Sequence, residues 1–250
     1  MEPQRVERAT KTSRIFAILA LPAVAALLVL PWWSDAGWMR LVAEMAYYVA
    51  LAQLWNLLAG YAGLVSVGQQ AYVGLGAYML FYLTGVWNIN VYPALLLAGL
   101  FAGVMSVPVS FAVFRLRGAY FAVGTWVVSE VFALSASLIL VLGAGSGLSL
   151  TVPILREISP DRDMRDTILY LMTLAVSFFV FAIVYLLLRS RHGLALTAIR
   201  DSEPASASLG VNTFRTKFII YVVTAACTGL VGGLIFLQKL RLAGSRVQHQ

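Results

Sequence analysis

A run of 70 residues, from Met45 to Phe114, contains no Asp, Glu, Lys or Arg. A bilayer core of roughly 30 Å is crossed by about 20 helical residues, so this run is long enough for three crossings with tight turns. Two further charge-free stretches lie between residues 14 and 35 and between residues 166 and 189. Lipid cannot satisfy backbone polar groups, and these runs lack the polar and apolar alternation of barrel strands. The sequence therefore predicts membrane-spanning helices.

The composition agrees with a membrane location. Hydrophobic residues make up 60% of the 250 residues and charged residues 12%, whereas soluble proteins average about 45 to 50% and about 25%. So little charge cannot cover the surface of a soluble domain. Low charge, 20 scattered glycines and the single Cys227 also argue against disordered, collagen-like and disulfide-scaffold classes. The predicted fold class is all-α, a polytopic helical bundle in a membrane.

Seven transmembrane segments are predicted. They run from Ile15 to Trp33, Leu41 to Gly60, Ala62 to Gly85, Val91 to Phe114, Gly118 to Leu142, Thr167 to Leu188 and Phe218 to Gln238. The third segment contains Gly63, Gly68, Gly74 and Gly76 as well as the polar Ser66, Gln69 and Gln70. These residues could break it into a half-helix or a re-entrant piece, which at membrane depth normally faces protein or water.

Lys and Arg residues collect in alternate loops, which predicts the orientation. With a cytoplasmic N-terminus, eleven of them lie inside: Arg5, Arg8, Lys11, Arg14, Arg115, Arg117, Arg189, Arg191, Arg200, Arg215 and Lys217. Four lie outside: Arg40, Arg156, Arg162 and Arg165. We therefore expect a cytoplasmic basic segment at residues 1–14 and a transmembrane domain at 15–240. The net charge of +7 mostly reflects topology, and no separate basic helix indicates nucleic-acid binding.

The usual motifs of nucleotide, metal and haem chemistry are absent from the sequence. It contains no phosphate-binding loop of the form G-x-x-x-x-G-K-[ST], no H-E-x-x-H and no set of several cysteines. The two histidines lie in a loop and near the C-terminal end. We expect no cofactor, no metal and no enzymatic activity of the chain itself.

Glu130 is a lone acid in the middle of the fifth predicted segment. An acidic side chain near the bilayer midplane costs about 2.5 kcal/mol or more, so it is normally directed inward and either paired or protonated. One reading makes Glu130 a group on a transport path. The other makes it a neutral acid that forms a hydrogen bond to a neighbouring helix, and the sequence leaves both open.

The inner loop at residues 189–217 is too long for a simple turn. Asp201, Ser202, Glu203 and Pro204 form a helix start, and Gly210 is a typical helix end. The sequence thus predicts a short helix at the inner surface. That helix could present a face to a cytosolic partner, or it could rest on lipid headgroups.

Four stretches, in this order, resemble branched-chain amino acid ABC transporter permeases of the LivM type. They are residues 57–78 (LLAGYAGLVSVGQQA followed by GAY), 116–123 (LRGAYFAV), 145–149 (GSGLS) and 193–217 (GLALTAIRDSEPASASLGVN followed by RTK). The third of these is a glycine-rich outer segment. Together the four stretches lie within residues 56–237, and the Arg200-Asp-Ser-Glu203 version of the loop is more similar to the M-type subunit than to its H-type partner.

The resemblance implies a role in a bacterial inner membrane. Such permeases pair with a second permease subunit, two cytosolic ATP-binding subunits and a periplasmic substrate-binding protein, and import branched-chain amino acids or related small amides. The inner loop is then the element that couples the permease to the ATPase. The coupling residues implied are Gly193, Arg200, Glu203, Ala205, Leu209 and Gly210. The missing phosphate-binding loop is expected in that picture, since other chains hydrolyse ATP.

Polar residues that are costly in lipid are the candidates for a translocation path: Asn56, Ser66, Gln69, Gln70 and Glu130. For the amides and Ser66, hydrogen bonding between helices is an equally good explanation. Two G-x-x-x-G pairs, at residues 99 and 103 and at residues 229 and 233, predict close packing between helices.

Two points depart from the resemblance or compete with it. Members of the family continue through further spans, whereas this chain ends in an atypical tail at 241–250. Positive charge falls outside at Lys239 before the tail and at Arg241 and Arg246 within it. We expect a truncated or frame-shifted product, or a fragment, and impaired assembly with the partner permease if the chain is truncated. The competing functions are a proton-coupled secondary transporter that uses Glu130 and a purely structural membrane subunit. The sequence does not distinguish branched-chain amino acids from urea or amides as substrates.

Overall fold

The computed structural model describes residues 11–138, 158–159 and 161–247. Within these ranges the fold is all-helical, which confirms the predicted class. We number the helices in chain order as α1 Lys11–Val29, α2 Ala36–Asn56, α3 Gln69–Gly85, α4 Val91–Val113, α5 Ala119–Leu138, α6 Arg162–Arg189, α7 Arg191–Asp201, α8 Glu203–Ser208 and α9 Thr213–Val247. The predicted glycine-rich segment at 145–149 lies outside the described residues.

Five helical segments in the described ranges are long and apolar enough to cross a membrane: Ala36–Tyr61, Val91–Val113, Ala119–Leu138, Asp163–Arg189 and Thr213–Lys239. The predicted count of seven is therefore not reproduced. In the first predicted segment, α1 is helical up to Val29, but the apolar stretch Pro22–Trp32 is shorter than a membrane crossing requires. The third predicted segment yields α3, which has 17 residues.

The third predicted segment begins later than expected, at Gln69 instead of Ala62. The last turn of α2 widens into a π-helix at Leu57–Tyr61, and residues 62–68 form no regular helix. Gly63 has a φ of 67°, a left-handed conformation that favours glycine and interrupts an α-helix. The late start of α3 has a local cause, because the glycines that made this predicted segment doubtful separate α2 from α3.

Helix α9 lies at the centre of the bundle and packs mainly on α4 and α3. Both predicted G-x-x-x-G pairs lie in this packing. A Cβ atom at Gly99 or Gly103 of α4 would press on Ala226 or Leu230 of α9, and one at Gly229 or Gly233 would press on Ala102 or Leu95 of α4. The prediction of close packing is confirmed. Helix α9 also runs beyond the predicted Phe218 to Gln238, so the described part of the tail, up to Val247, continues it.

The remaining long helices flank this centre. Helix α2 packs on α6, and the Tyr170 hydroxyl of α6 donates a hydrogen bond to the Leu27 carbonyl of α1 at 2.7 Å. Helix α5 packs on α3 and, less closely, on α4. Only 17% of the most apolar stretch of α5 is buried within the chain, so most of the α5 surface faces away from the bundle.

Several connections meet at one end of the bundle, which we call the basic end. It comprises the α2–α3 connection, the α4–α5 turn, helices α7 and α8, and the first turn of α9. A cavity of about 260 Å³ at this end is lined by Gly63, Leu116, Arg117, Arg200 and Lys217, among others. Because these residues come from four separate parts of the sequence, the cavity shows that the connections share one end.

Candidate functional site

A groove between α3 and α5 is the first candidate site. It has a volume of about 260 Å³ and is lined by Gln70, Ala71, Gly74, Leu75, Tyr78, Ser129, Glu130, Phe132, Ala133 and Ala136. Small side chains on both helices leave the space. At Gly74 an added Cβ atom would meet no atom within 4 Å, so this glycine faces open volume.

Glu130 lies on the wall of this groove. It is the twelfth of the 20 residues of α5, roughly 16 Å along the helix axis from its start. Its side chain is exposed, and it makes no hydrogen bond or ion pair with any residue that the structure describes. The reading in which Glu130 is bonded to a neighbouring helix therefore finds no support among these residues. The neighbouring Ser129 hydroxyl donates to the Trp126 carbonyl of its own helix at 2.7 Å.

The structure brings together two of the five predicted path residues, Gln70 and Glu130. Ser66 and Gln69 are instead directed into protein. Ser66 is 1% exposed, and its carbonyl accepts a hydrogen bond from the Trp55 indole at 3.1 Å. The Gln69 side-chain oxygen accepts one from the Thr228 hydroxyl of α9 at 3.2 Å.

Asn56 also lies away from the groove, at the end of α2. Its side chain lies over Gly60, where an added Cβ atom would collide with the Asn56 amide oxygen. The bond between Gln69 and Thr228 joins α3 to α9, so for Gln69 the structure shows the alternative to a path residue, a hydrogen bond between helices. The Ser66 hydroxyl and the Gln69 amide nitrogen are buried without a partner among the described residues.

Gly74 and Tyr78 are among the groove residues that the sequence did not single out as path residues. The available signal is their spacing, because Gln70, Gly74 and Tyr78 follow one another at intervals of four and so share one face of a helix. That pattern indicates a common face, but it does not show that the face is open.

The second candidate site is the pair α7 and α8 at the basic end, which we call the coupling element after its predicted role. Ser190 caps α7 by accepting a hydrogen bond from the His192 backbone N–H at 3.2 Å. Ser202 caps α8 in the same way for Ala205 at 3.4 Å. Pro204 lies in the first turn of α8, and Gly210 follows its end with a φ of 84°. The sequence signals for this short helix are therefore realised.

The coupling element is tied to the bundle by two charged side chains. The Arg200 guanidinium donates a hydrogen bond to the Gly60 carbonyl at 2.7 Å, within the π-helical end of α2. The Lys217 ammonium of α9 forms an ion pair with the Glu203 carboxylate at 2.7 Å. Helix α7 also packs tightly on the end of α6, because a Cβ atom at Gly193 would collide with the Leu188 backbone.

The opposite side of the coupling element is uncovered. Leu194 is 76% exposed and Leu209 is 83% exposed, and Ala205 is exposed as well. Of the six predicted coupling residues, Gly193, Arg200 and Glu203 therefore hold the element in place. Ala205 and Leu209 face outward, and Gly210 forms the turn.

Over residues 38–242 the sequence matches the family described as the permease component of branched-chain amino acid transport systems. The chain belongs to this family. It is a multi-pass membrane protein. Within the described ranges, no group of three or more His, Cys, Asp or Glu side chains could hold a metal ion.

Two curated relatives share this family name in their descriptions. The chain is 27% identical over 254 aligned positions to the high-affinity branched-chain amino acid transport system permease protein LivM of Escherichia coli K12. It is 26% identical to the protein of the same description from Salmonella typhimurium LT2. Each alignment covers 92% of this chain and 58% of the relative, so the chain spans little more than half of their length. No solved structure matches the chain.

Proposed function

We propose that the chain is a membrane-spanning subunit of an ATP-binding-cassette importer for branched-chain or related small amino acids or amides. Its partners are a second permease, cytosolic ATP-binding subunits and a periplasmic binding protein, all in the bacterial inner membrane or beside it. The basic end faces the cytoplasm, in agreement with the positive-inside rule, and the N-terminus lies on the same side. ATP hydrolysis belongs to the partner subunits.

The coupling element is the observation that carries this proposal. It is anchored on one side and apolar and uncovered on the other, where Leu209 and Leu194 are exposed. An exposed leucine at the end of a short, well-capped helix suits insertion into a groove of a cytosolic partner. A helix that only rested on headgroups would not need anchors to two separate parts of the bundle, and this one has them in Arg200 and Glu203.

The two anchors supply a route for motion. Arg200 holds the carbonyl of Gly60 next to the break between α2 and α3, and Glu203 holds Lys217 of the central helix α9. A displacement of α8 by an ATPase is thereby transmitted to α3, which lines the groove, and to α9, which packs on α3 and α4. A partner can shift a bundle between states only through contacts that differ between those states.

The α3–α5 groove is the segment of the translocation path in this chain. It contains the polar side chains of Gln70, Tyr78 and Glu130 at membrane depth, where polar groups usually serve a site or a pathway. The other three predicted path residues support the α2–α3 connection beside the groove. They are Asn56, Ser66 and Gln69.

The test is substrate uptake by the complete complex in proteoliposomes, with ATP hydrolysis measured in parallel. Leu209→Ala should lower the uptake per ATP hydrolysed at least about tenfold, since an exposed apolar anchor in a partner's groove commonly contributes a large share of docking energy. The variant should keep the wild-type thermal midpoint, because Leu209 is 83% exposed and packs on little of its own chain.

The matched control is Leu186→Ala, which removes the same atoms from a 65% exposed position on α6. Its ratio of uptake to hydrolysis should stay within about twofold of wild type. Unchanged coupling in the Leu209 variant would contradict the assignment of α8 as the coupling helix.

A further inference from the structure

Among the residues that the structure describes, no counter-charge faces the Glu130 carboxylate in the groove. Among the described residues, no Lys, Arg or His lines this groove, and nothing bonds to Glu130. A bare carboxylate roughly 16 Å into a membrane helix is unfavourable unless it is neutralised or meets a cation. The groove therefore has one site with a strong preference for positive charge.

The rest of the groove has a different character. Ala71, Leu75, Phe132, Ala133 and Ala136 give it an apolar wall. Its volume of about 260 Å³ is just below the roughly 300 to 1,000 Å³ that is typical of sites for drug-sized ligands. This combination suits a small ligand that has a cationic group and an aliphatic part.

Hydrogen-bond donors lie on the α3 side of the groove. Gln70 and Tyr78 are eight residues apart on one helix face, which places their Cα atoms about 12 Å apart along the axis. In the part of the chain that the structure covers, neither side chain has a hydrogen-bond partner. An amide N–H and a phenol O–H can both donate to a carboxylate.

We infer that this groove binds the zwitterion of an aliphatic amino acid, with its α-ammonium group at Glu130 and its carboxylate on the donors of α3. The inference rests on the proposed function and narrows it, because a carboxylate that receives an ammonium favours amino acids over neutral amides. Urea and aliphatic amides lack the positive charge that Glu130 requires.

Binding of radiolabelled leucine to the purified complex in lipid nanodiscs, without the periplasmic binding protein, tests this inference. Three unlabelled competitors separate the chemical groups: leucinamide keeps the ammonium, 4-methylpentanoate keeps only the carboxylate, and 4-methylpentanamide keeps neither charge. Leucinamide should displace leucine, and the other two should displace it at least about tenfold less effectively, as expected for loss of a charged hydrogen bond.

Glu130→Gln should weaken leucine binding at least about tenfold, for the same reason, and Glu130→Asp should recover part of it. The control is Glu44→Gln, which alters a carboxylate on α2 that accepts a hydrogen bond from the Tyr47 hydroxyl at 3.1 Å and does not line the groove. The control should bind leucine as wild type does. A monodisperse elution profile of each variant complex checks its assembly.

Two results would overturn the inference: leucine affinity of the Glu130→Gln complex within about twofold of wild type, or displacement by 4-methylpentanamide as effective as by leucinamide. Failure of the proposed function is a separate result, since it would appear as absence of ATP-driven uptake by the wild-type complex. A complex that imports leucine but binds it independently of Glu130 would refute only the inference.

Discussion

The two faces of α3 are built in opposite ways. On the face toward α9, Gly76 lies against the Gly229 carbonyl so closely that no side chain fits, and the Tyr72 hydroxyl donates to the Tyr221 hydroxyl at 3.0 Å. On the face toward α5, Gly74 meets nothing within 4 Å of an added Cβ atom. Two glycines that are neighbours on one helix therefore have unlike roles.

The difference indicates which contacts can change in the proposed transport cycle. The α3–α9 face is packed and hydrogen-bonded, so motion of α9 should carry α3 with it. The α3–α5 face is open around Gly74, and its close contact with α5 is confined to the start of α3, where Gly68 lies against the Thr125 carbonyl. We expect α3 and α9 to move as one body and α5 to move relative to them, which would open or close the groove.

The largest predicted effect is a difference in stability between variants of the two glycines. Gly76→Ala should destabilise the chain by about 1 to 3 kcal/mol or more, because the new methyl group collides with backbone atoms that cannot move independently. Gly74→Ala should be neutral or stabilising by up to about 1 kcal/mol, since alanine is the better helix former and the space is open. Thermal midpoints in detergent, followed by size-exclusion chromatography, measure both. Equal midpoints for the two variants would remove the contrast between the faces.

The second prediction concerns a variant that fills the open face of α3 and leaves its packed face unchanged. Gly74→Leu should place its side chain in the groove and lower uptake at least about tenfold, while its thermal midpoint stays near that of wild type. Gly37→Leu is the control, because Gly37 on α2 also meets nothing within 4 Å and does not line the groove. Full uptake by the Gly74 variant would show that substrate passes elsewhere.

The smallest predicted effect concerns the hydroxyl pair of the packed face. Tyr72→Phe should cost about 1 kcal/mol of unfolding free energy, the usual size for a hydrogen bond between membrane helices. It leaves the buried Tyr221 hydroxyl without this hydrogen bond, so adding Tyr221→Phe should cost little more. Tyr120→Phe is the control, since Tyr120 is 75% exposed. A double variant whose loss equals the sum of two independent losses would argue against the pairing.

Much of the fold could be predicted because its signals are local. The uncharged runs predicted long helices, and the G-x-x-x-G pairs predicted close packing between helices, which the structure places between α4 and α9. Ser202, Pro204 and Gly210 predicted the limits of α8, since caps and glycine turns depend on a few adjacent residues. The same glycines that cast doubt on the third segment explain why α3 starts at Gln69.

The grouping of the polar residues could not be predicted, because it depends on how each helix is rotated and what it packs against. Gln69 and Gln70 are adjacent in sequence, yet one faces Thr228 of α9 and the other lines the groove. The bond from Arg200 to Gly60 joins residues 140 positions apart, and no local pattern indicates it. The number of crossings was likewise uncertain where glycines shorten a helix.

The central claim is that this chain is a passive part of a transporter driven by ATP hydrolysis on other polypeptides. The most direct measurement is leucine uptake into proteoliposomes that contain either the complete complex or this chain alone, with ATP supplied on the side of the ATP-binding subunits. We predict ATP-dependent uptake by the complex and none by the chain alone, with or without a pH gradient. Uptake by the chain alone under a pH gradient would contradict the claim and favour a proton-coupled transporter.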